Sequence, residues 1–362
     1  MTRTVADIVI IGGGIVGCSA ALHMARQKSA RVIVVEKGSL ASGMTKRSGA
    51  LAHAFFTREP EAQWARAGLR QFQNWHELTG ASCGFTKTGC ALVAGANETA
   101  RFAHAPAISL SELSDRQPGM RIDDLALAAF DADAGYADPM QATQTLAARA
   151  KELGVIFKTG TQVTQIRVDA GRVSGVATTT GNIDALTVIV AAGPWTERLL
   201  KPLGVQIGIE NVRAQVAFFD RPPALKAGHL AFIDWTTGAH FRPHTFGLTM
   251  ASLNAPQNAE PNPDRFDENV SRDFADDLRQ RMATRLPAMA DARFIRGHAG
   301  IYDMTVDGRP VIGRVPGIAG LIVAAGFSGK GFALAPAVGA CLAEIALDGE
   351  ARSVDLRELG LR

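Results

Sequence analysis

Four short runs along the chain are apolar almost throughout and rich in β-branched side chains: residues 8–11, 31–36, 187–192 and 321–325. Continuous apolar runs of this length suit strands covered on both faces. Apolar positions recur with helical spacing directly after the first and last of these runs, over 16–27 and 333–347, and again over 60–78, 141–153 and 268–285. Strands alternating with helices predict an α/β architecture around a parallel sheet. The stretch 205–250 is of another kind, with several short strands at 214–219, 239–242 and 247–250. The segment 255–267 (APQNAEPNPDRFD) is polar and rich in Pro and Asn, and reads as a surface turn. The predicted fold is therefore α/β (α+β overall), a Rossmann-type domain interrupted by a mainly antiparallel sheet. Residues 1–85, 140–205 and 290–362 are assigned to the discontinuous dinucleotide-binding domain. Residues 86–139 and 206–289 are assigned to the inserted, substrate-binding one. There is no internal repeat.

The first strand runs into Gly12-x-Gly14-x-x-Gly17 and then a helix. The first glycine permits the tight turn, the second lets the backbone approach a pyrophosphate, and the third lets helix and strand pack closely. The free N–H groups of the helix start favour an anion. Glu36 closes the second strand, where an acid accepts hydrogen bonds from ribose hydroxyls and repels a 2′-phosphate. These features do not choose between a nicotinamide and a flavin. Three later segments favour the flavin. Residues 42–49 (SGMTKRSG) are short, polar and Gly-containing, and 188–195 is a buried strand ending in small residues. Residues 323–333 (VAAGFSGKGFA) again end a strand in glycines and open a helix. That second helix start can stabilise a second anionic centre, such as the N1/C2=O edge of a reduced flavin.

Composition narrows the function classes. The chain has 362 residues and a net charge of +3, with no basic run or aromatic–basic alternation, which argues against a nucleic-acid partner. No apolar stretch approaches the roughly 18 residues of a spanning helix. The first residues lead straight into a strand without a signal peptide, so the expected location is the cytoplasm, or the periphery of the inner membrane. Cys18, Cys83, Cys90 and Cys341 form no CxxC pair; Cys83 and Cys90 could pair, but free thiols are expected in a chain of this kind. No metal site is expected.

Taken with Gly160-Thr161-Gln162-Val163, Ala192-Gly193-Pro194-Trp195 and the block 296–339 (RGHAGIYDMTVDGRPVIG…AAGFSGKGFALAPAVG), the chain resembles the FAD-dependent oxidoreductases of the D-amino acid oxidase superfamily. The likeness spans nearly the whole chain and is nearest to the glycine oxidase, sarcosine oxidase and proline or hydroxyproline dehydrogenase branches. It implies bound FAD and oxidation of the C–N bond of an amino or imino acid. The cofactor contacts it implies, together with those of the glycine turn, are Gly12, Gly14, Ile15, Val16, Gly17, Glu36, Lys37, Ser42, Thr45, Arg47, Ser48, Gly49 and Val163. Ala192, Gly193, Trp195, Arg309, Gly326, Ser328, Gly329, Lys330, Gly331, Phe332 and Ala333 complete the set.

The departures from the family bear on the substrate. Where glycine oxidase and D-amino acid oxidase carry a carboxylate-clamping arginine, this chain has Tyr302. Sarcosine oxidase uses an arginine and a lysine at positions matched here by His53 and Ala333. Lys330 stands where many relatives have histidine. With these clamps missing, the candidate catalytic residues are Lys330, Tyr302 and His53, and the candidate substrate contacts are His53, His240, Arg242 and Tyr302. Gly300 takes the place of the cysteine that links flavin in some sarcosine oxidases, so noncovalent FAD is expected. Thr249 takes the place of the oxygen-activating lysine, which points to a dehydrogenase rather than an efficient oxidase. The expected partners are an amine or amino acid substrate and an electron acceptor (oxygen, quinone or a partner subunit), in a homo- or hetero-oligomer. Two other readings share the fold: a 2-hydroxy acid or glycerol phosphate dehydrogenase, and one subunit of a multi-subunit amine dehydrogenase.

Overall fold

The computed structural model describes residues 4–27, 30–102, 105–255, 258–260 and 262–361. The apolar runs form one sheet of six strands, in the order Val311–Arg314, Leu321–Ala325, Thr187–Val190, Ile8–Ile11, Val32–Val35 and Ile156–Lys158. All neighbours are parallel except the antiparallel edge strand Val311–Arg314. Both faces are covered, and the side-chain alternation of each strand shows how. Ile8, Ile10, Val32, Val34 and Ile189 pack under the helices Ile15–Gln27, Pro139–Glu152 and Gly331–Leu347. Val9, Ile11, Ile33, Val35, Val188 and Val190 face a four-stranded sheet built from Thr4–Val5, Gly181–Asp184, Arg172–Thr178 and Val163–Asp169.

The second large sheet has eight strands and is antiparallel except between Ala231–Asp234 and Cys90–Ala94. Its spine is Glu210–Asp220, which pairs with Leu248–Leu253 on one edge and with Arg293–Met304 along its length. Helices Leu110–Arg116 and Arg272–Arg285 pack on its outer face through Leu113, Ala275, Leu278 and Met282. A fully buried Arg285 anchors the second of these by bonding Asp234 at 2.8 Å and Asp124 at 2.9 Å. A small sheet of Leu51–Ala52, Gly135–Tyr136 and Thr86–Lys87 lies where the two parts meet.

The α/β architecture with a large mixed sheet agrees with the sequence. Four local expectations change. The stretch 60–78 is two helices, Glu61–Gln73 and Trp75–Thr79, separated at Asn74, whose φ of −112° is not helical. Helix Arg272–Arg285 starts later than its apolar pattern, because Ser271 caps it by accepting from Phe274 N–H. Strand Arg293–Met304, in a segment assigned by sequence to the dinucleotide-binding part, runs in the other sheet. Finally, 255–267 is more than a surface turn. Residues 256, 257 and 261 lie outside the described ones, Asn258–Ala259 adds a short strand, and Pro263, Asp264 and Phe266 line an interior cavity. Among the described residues no helix is long and apolar enough to cross a membrane. All four cysteines are buried free thiols.

Candidate active site

A cavity of about 860 Å³ runs between the two large sheets, within the range of small-molecule and cofactor sites. One end is the turn after strand Ile8–Ile11. Gly12 has φ of +114°, and a Cβ there would stand 2.3 Å from the Ala191 carbonyl oxygen, so only glycine lets this turn lie against the next strand. Gly12, Gly14, Ile15 and Val16 line the cavity, and helix Ile15–Gln27 begins there. Glu36 is held on the wall by two backbone donors, Gly13 N–H to Oε2 and Gly38 N–H to Oε1, both at 2.7 Å.

The other end is the turn into helix Gly331–Leu347, where Gly329, Gly331 and Phe332 line the cavity. Gly329 has φ of +81° and lies under the Tyr302 ring, 2.7 Å from where its Cβ would be. The neighbouring Asp303 braces the same turn: its Oδ2 accepts Gly326 N–H at 2.7 Å and its carbonyl accepts Ser328 N–H at 3.1 Å. Burial raises the Asp303 carboxyl to about 6 against the opposing pull of Gly326 N–H.

Between the ends, Ser42, Thr45, Arg47, Ser48, Val163, Ala192, Gly193 and Trp195 form the walls. A charged cluster closes one side. Asp264 accepts from Lys37 at 2.7 Å, from Trp195 Nε1 at 2.8 Å and from Arg198 at 2.5 Å, while the Lys37 ammonium lies 3.7 Å from the centre of the Trp195 ring. Burial pushes the Asp264 carboxyl up, but these donors together outweigh it and hold it down to about 2. Further along, Arg47 bonds Glu268 at 2.6 Å. Both acids lie between strand Asn258–Ala259 and helix Arg272–Arg285, so the two parts are joined by ion pairs over the cavity.

Sequence comparison then decides the family. Residues 7–345 match the DAO family, described as FAD dependent oxidoreductase. The chain belongs to that family. It is 25% identical to human peroxisomal sarcosine oxidase over 362 residues, covering 94% of this chain and 92% of that protein. It is 27% identical to glycine oxidase of Geobacillus kaustophilus over 360 residues, with the same coverages of 94% and 92%. Among solved structures it superposes on L-proline dehydrogenase from P. horikoshii with a TM-score of 0.88 at 26% identity, covering 97% of this chain and 96% of that one. The enzyme is thus an FAD-dependent oxidoreductase, and the lining fits that cofactor. A glycine turn and helix start for a pyrophosphate, an acid for a ribose, and a second helix start all face one cavity.

Several candidates from the sequence lie elsewhere. Gly17 meets the Gly12 carbonyl and serves helix packing. Arg309 is buried in a pair with Glu61 (2.7 Å) and Glu358 (2.6 Å), tying together distant parts of the dinucleotide half. Ser328 Oγ lies 3.2 Å from Thr305 N, Gly326 packs on Thr305, and the Ala333 carbonyl faces Gly68. The Lys330 ammonium turns away to the Gly308 carbonyl at 2.7 Å, and the residue is absent from the cavity lining, which runs from Gly329 to Gly331 and Phe332. Thr249 is also turned away, bonding His229 at 2.7 Å behind the sheet; Met250 is the neighbour that faces Gly49. Neither is a lysine.

His53, His240, Arg242 and Gly49 do come together, just past Ser48. Gly49 lies under Met250 and His240, and its carbonyl accepts Arg242 Nε at 2.6 Å. His53 stacks on Phe56 with its Nδ1 accepting Phe55 N–H at 3.1 Å. Burial, then the neighbouring His240, lowers His53 to about 4; burial chiefly lowers His240 to about 4, so both rings are neutral near pH 7. Tyr302 stands apart at the Gly329 end. Sequence reasoning missed Asp303, Asp264 and Tyr136. Only the bond from Gly326 N–H, in the turn after strand Leu321–Ala325, reveals the first, and no periodicity carries the second to the cavity.

The raised Asp303 carboxyl yields a prediction. A carboxyl whose folded value lies above the ordinary 3.8 contributes stability below that value and loses it as pH rises through about 6. In FAD-free protein, Asp303→Asn should therefore gain stability relative to the parent by up to about 3 kcal/mol between pH 4 and pH 7, because each tenfold change in proton affinity is worth about 1.4 kcal/mol. Denaturant unfolding at both pH values measures the difference; a gap independent of pH would place this carboxyl in water.

Proposed function

We propose that the enzyme oxidises the C–N bond of an amino or imino acid. The observation that carries this reading is a single cavity ending in two helix starts, in a chain whose relatives include sarcosine and glycine oxidases. In the same reading Gly12 to Val16 hold the pyrophosphate, Glu36 the ribose, and Gly329 to Phe332 the anionic edge of the flavin. Residues 1–85, 140–205 and 290–362 carry the cofactor, with 86–139 and 206–289 over the substrate; strand Arg293–Met304 is the member of the first set that reaches into the second.

FAD, held by the Gly12 and Gly329 turns, would supply the two-electron acceptor for the hydride equivalent lost from the carbon beside nitrogen, leaving an imine for water to hydrolyse. The chain's own residues orient and shield. His53 and His240, both neutral, offer uncharged polar groups to a substrate amine. Tyr302 packs over Gly329 and fixes the turn whose Gly329 and Gly331 line the cavity. Arg242 supplies fixed positive charge for a carboxylate. No side chain is needed as a strong base if the amine binds uncharged. The lack of a lysine at both Thr249 and Met250 supports a dehydrogenase that hands electrons to an acceptor other than oxygen.

Noncovalent attachment is supported by Gly300, which lines the cavity where a thiol would be needed, and by the absence of all four cysteines from its lining. Acid precipitation should release all the flavin into the supernatant; flavin retained on the pellet contradicts this. The activity is tested by anaerobic mixing with a panel of amino, imino and 2-hydroxy acids, following loss of visible flavin absorbance. Bleaching by a member of the amine set, with dye reoxidation on the order of tenfold faster than oxygen, is the expected outcome. Bleaching by hydroxy acids alone would overturn the reading.

A further inference from the structure

Three arginines of the large sheet converge on His244, and among the described residues none has an acidic partner. Arg242 is only 3% exposed. Its Nε donates to the Gly49 carbonyl at 2.6 Å, and its Nη1 donates to the Pro243 carbonyl at 2.8 Å and lies 3.3 Å from His244 Nδ1. Nη2 has no partner among the described residues. Arg221 donates to the His244 carbonyl at 3.4 Å, and its own Nε is buried with no acceptor. Arg296 lies over the Phe218 ring at 4.0 Å, and that ring packs on His244 at 5.0 Å. The Arg242 guanidinium stacks 4.0 Å from the centre of the Tyr136 ring. Tyr136 is 7% exposed and its hydroxyl makes no hydrogen bond to a described residue.

Of the three only Arg242 is fully buried; Arg221 is half-buried and Arg296 exposed, and the buried one is unusual for a stable interior. A buried charge is costly unless an opposite charge or a full set of hydrogen bonds compensates it. Elsewhere in this molecule the rule is kept: the buried guanidiniums of Arg285 and Arg309 each meet two carboxylates. The acid that acts electrostatically on both Arg242 and His244 is Asp138, which makes no ion pair with either and caps helix Pro139–Glu152 by accepting Gln141 N–H at 2.8 Å. Burial lowers the Arg242 guanidinium to about 10, which leaves it charged near pH 7. The cluster also adjoins the cofactor cavity at two points. Gly49, which holds Arg242, follows the cavity residue Ser48. His298, which packs on Phe218, has its Nε2 3.2 Å from the carbonyl of the cavity residue Arg47.

We infer that Arg242, with the Tyr136 hydroxyl beside it, is the receptor for the substrate's carboxylate, and that Arg221 and Arg296 form a cationic shell that draws anionic substrates to it. This rests on the proposed oxidation of amino or imino acids and replaces the family's clamp, whose arginine position is Tyr302. The planar fork of a guanidinium meets a carboxylate with paired donors, while a shell of one sign concentrates the opposite charge near its mouth. The missing partner of the buried arginine is thus brought by the substrate.

The test is binding, independent of turnover. Pyrrole-2-carboxylate, a planar imino-acid mimic with no oxidisable C–H beside nitrogen, and its neutral carboxamide are titrated into the holoenzyme, following the visible flavin spectrum. The acid should bind far more tightly than the amide, and its affinity should fall with salt. Arg242→Gln should weaken the acid roughly 100-fold and the amide little, and Arg242→Lys should restore only part of the loss. Arg296→Gln, at an exposed position, should keep FAD and fold, weaken the acid a few-fold and flatten the salt dependence. Equal affinity for acid and amide, or an Arg242→Gln enzyme that binds the acid as the parent does, overturns the assignment. If Arg242→Gln does not fold, unchanged acid affinity and salt dependence in Arg296→Gln overturn it instead. Oxidation of amines with unchanged acid binding in the variants would sink this inference alone, whereas loss of acid binding in an enzyme that oxidises no amine would sink the proposed activity alone.

Discussion

The close approach of Gly12 to the Ala191 carbonyl is the contact on which the rest depends. Two neighbouring parallel strands, Ile8–Ile11 and Thr187–Val190, must end side by side and still leave their following turns open to the same space. A side chain at Gly12 would stand 2.3 Å from that carbonyl and force the turns apart. With glycine there, the start of helix Ile15–Gln27 opens on a cavity instead of a neighbouring strand, with Ile15 N–H donating to Thr45 Oγ1 at 3.2 Å on the cavity wall. Free amides at a helix start demand an anion or water. The far turn, at Gly329, repeats the solution with a tyrosine ring in place of a carbonyl.

Between these turns the enzyme is held together by charge. Lys37 and Arg198 of the dinucleotide half share Asp264, and Arg47 pairs with Glu268, so the segment leading into helix Arg272–Arg285 is fastened over the cavity. Exposed ion pairs are individually weak; here one exposed carboxylate is shared by two cations and also accepts from an indole N–H, which makes the fastening directional. The same halves treat arginine in two ways. Arg285 and Arg309 are neutralised where they stand and serve the fold. The buried Arg242 has no ion-pair partner among the described residues.

How much of this could be read in the sequence follows from range. The parallel strands, the helix after Gly17 and the acid at Glu36 are local patterns, set by side-chain period and turn chemistry within a few residues. They predicted the α/β core and the cofactor turn. Lys330 and Arg309 sit inside recognisable segments, yet a long side chain leaves its backbone: Lys330 reaches Gly308 and Arg309 reaches Glu61. Backbone position was legible there and the destination of the side chain was not. Thr249 and Met250 differ by one residue, which in a strand exchanges the faces of the sheet. Arg293–Met304 pairs with a strand far back in the chain, and Asp264 reaches the cavity from a polar segment with no periodicity at all, so neither left a local trace.

The central claim is that this cavity seats a complete flavin dinucleotide, with the Gly12 turn holding the pyrophosphate and the Gly329 turn the flavin edge. Titration of FAD-free enzyme with FAD and with FMN, followed by quenching of flavin fluorescence, tests it most directly, because FMN lacks the adenylate half. The account predicts that FAD binds at least about 100-fold more tightly, a difference of about 2.7 kcal/mol. Equal affinity for the two would contradict it, since the Gly12 turn and Glu36 would then contribute nothing to holding the cofactor.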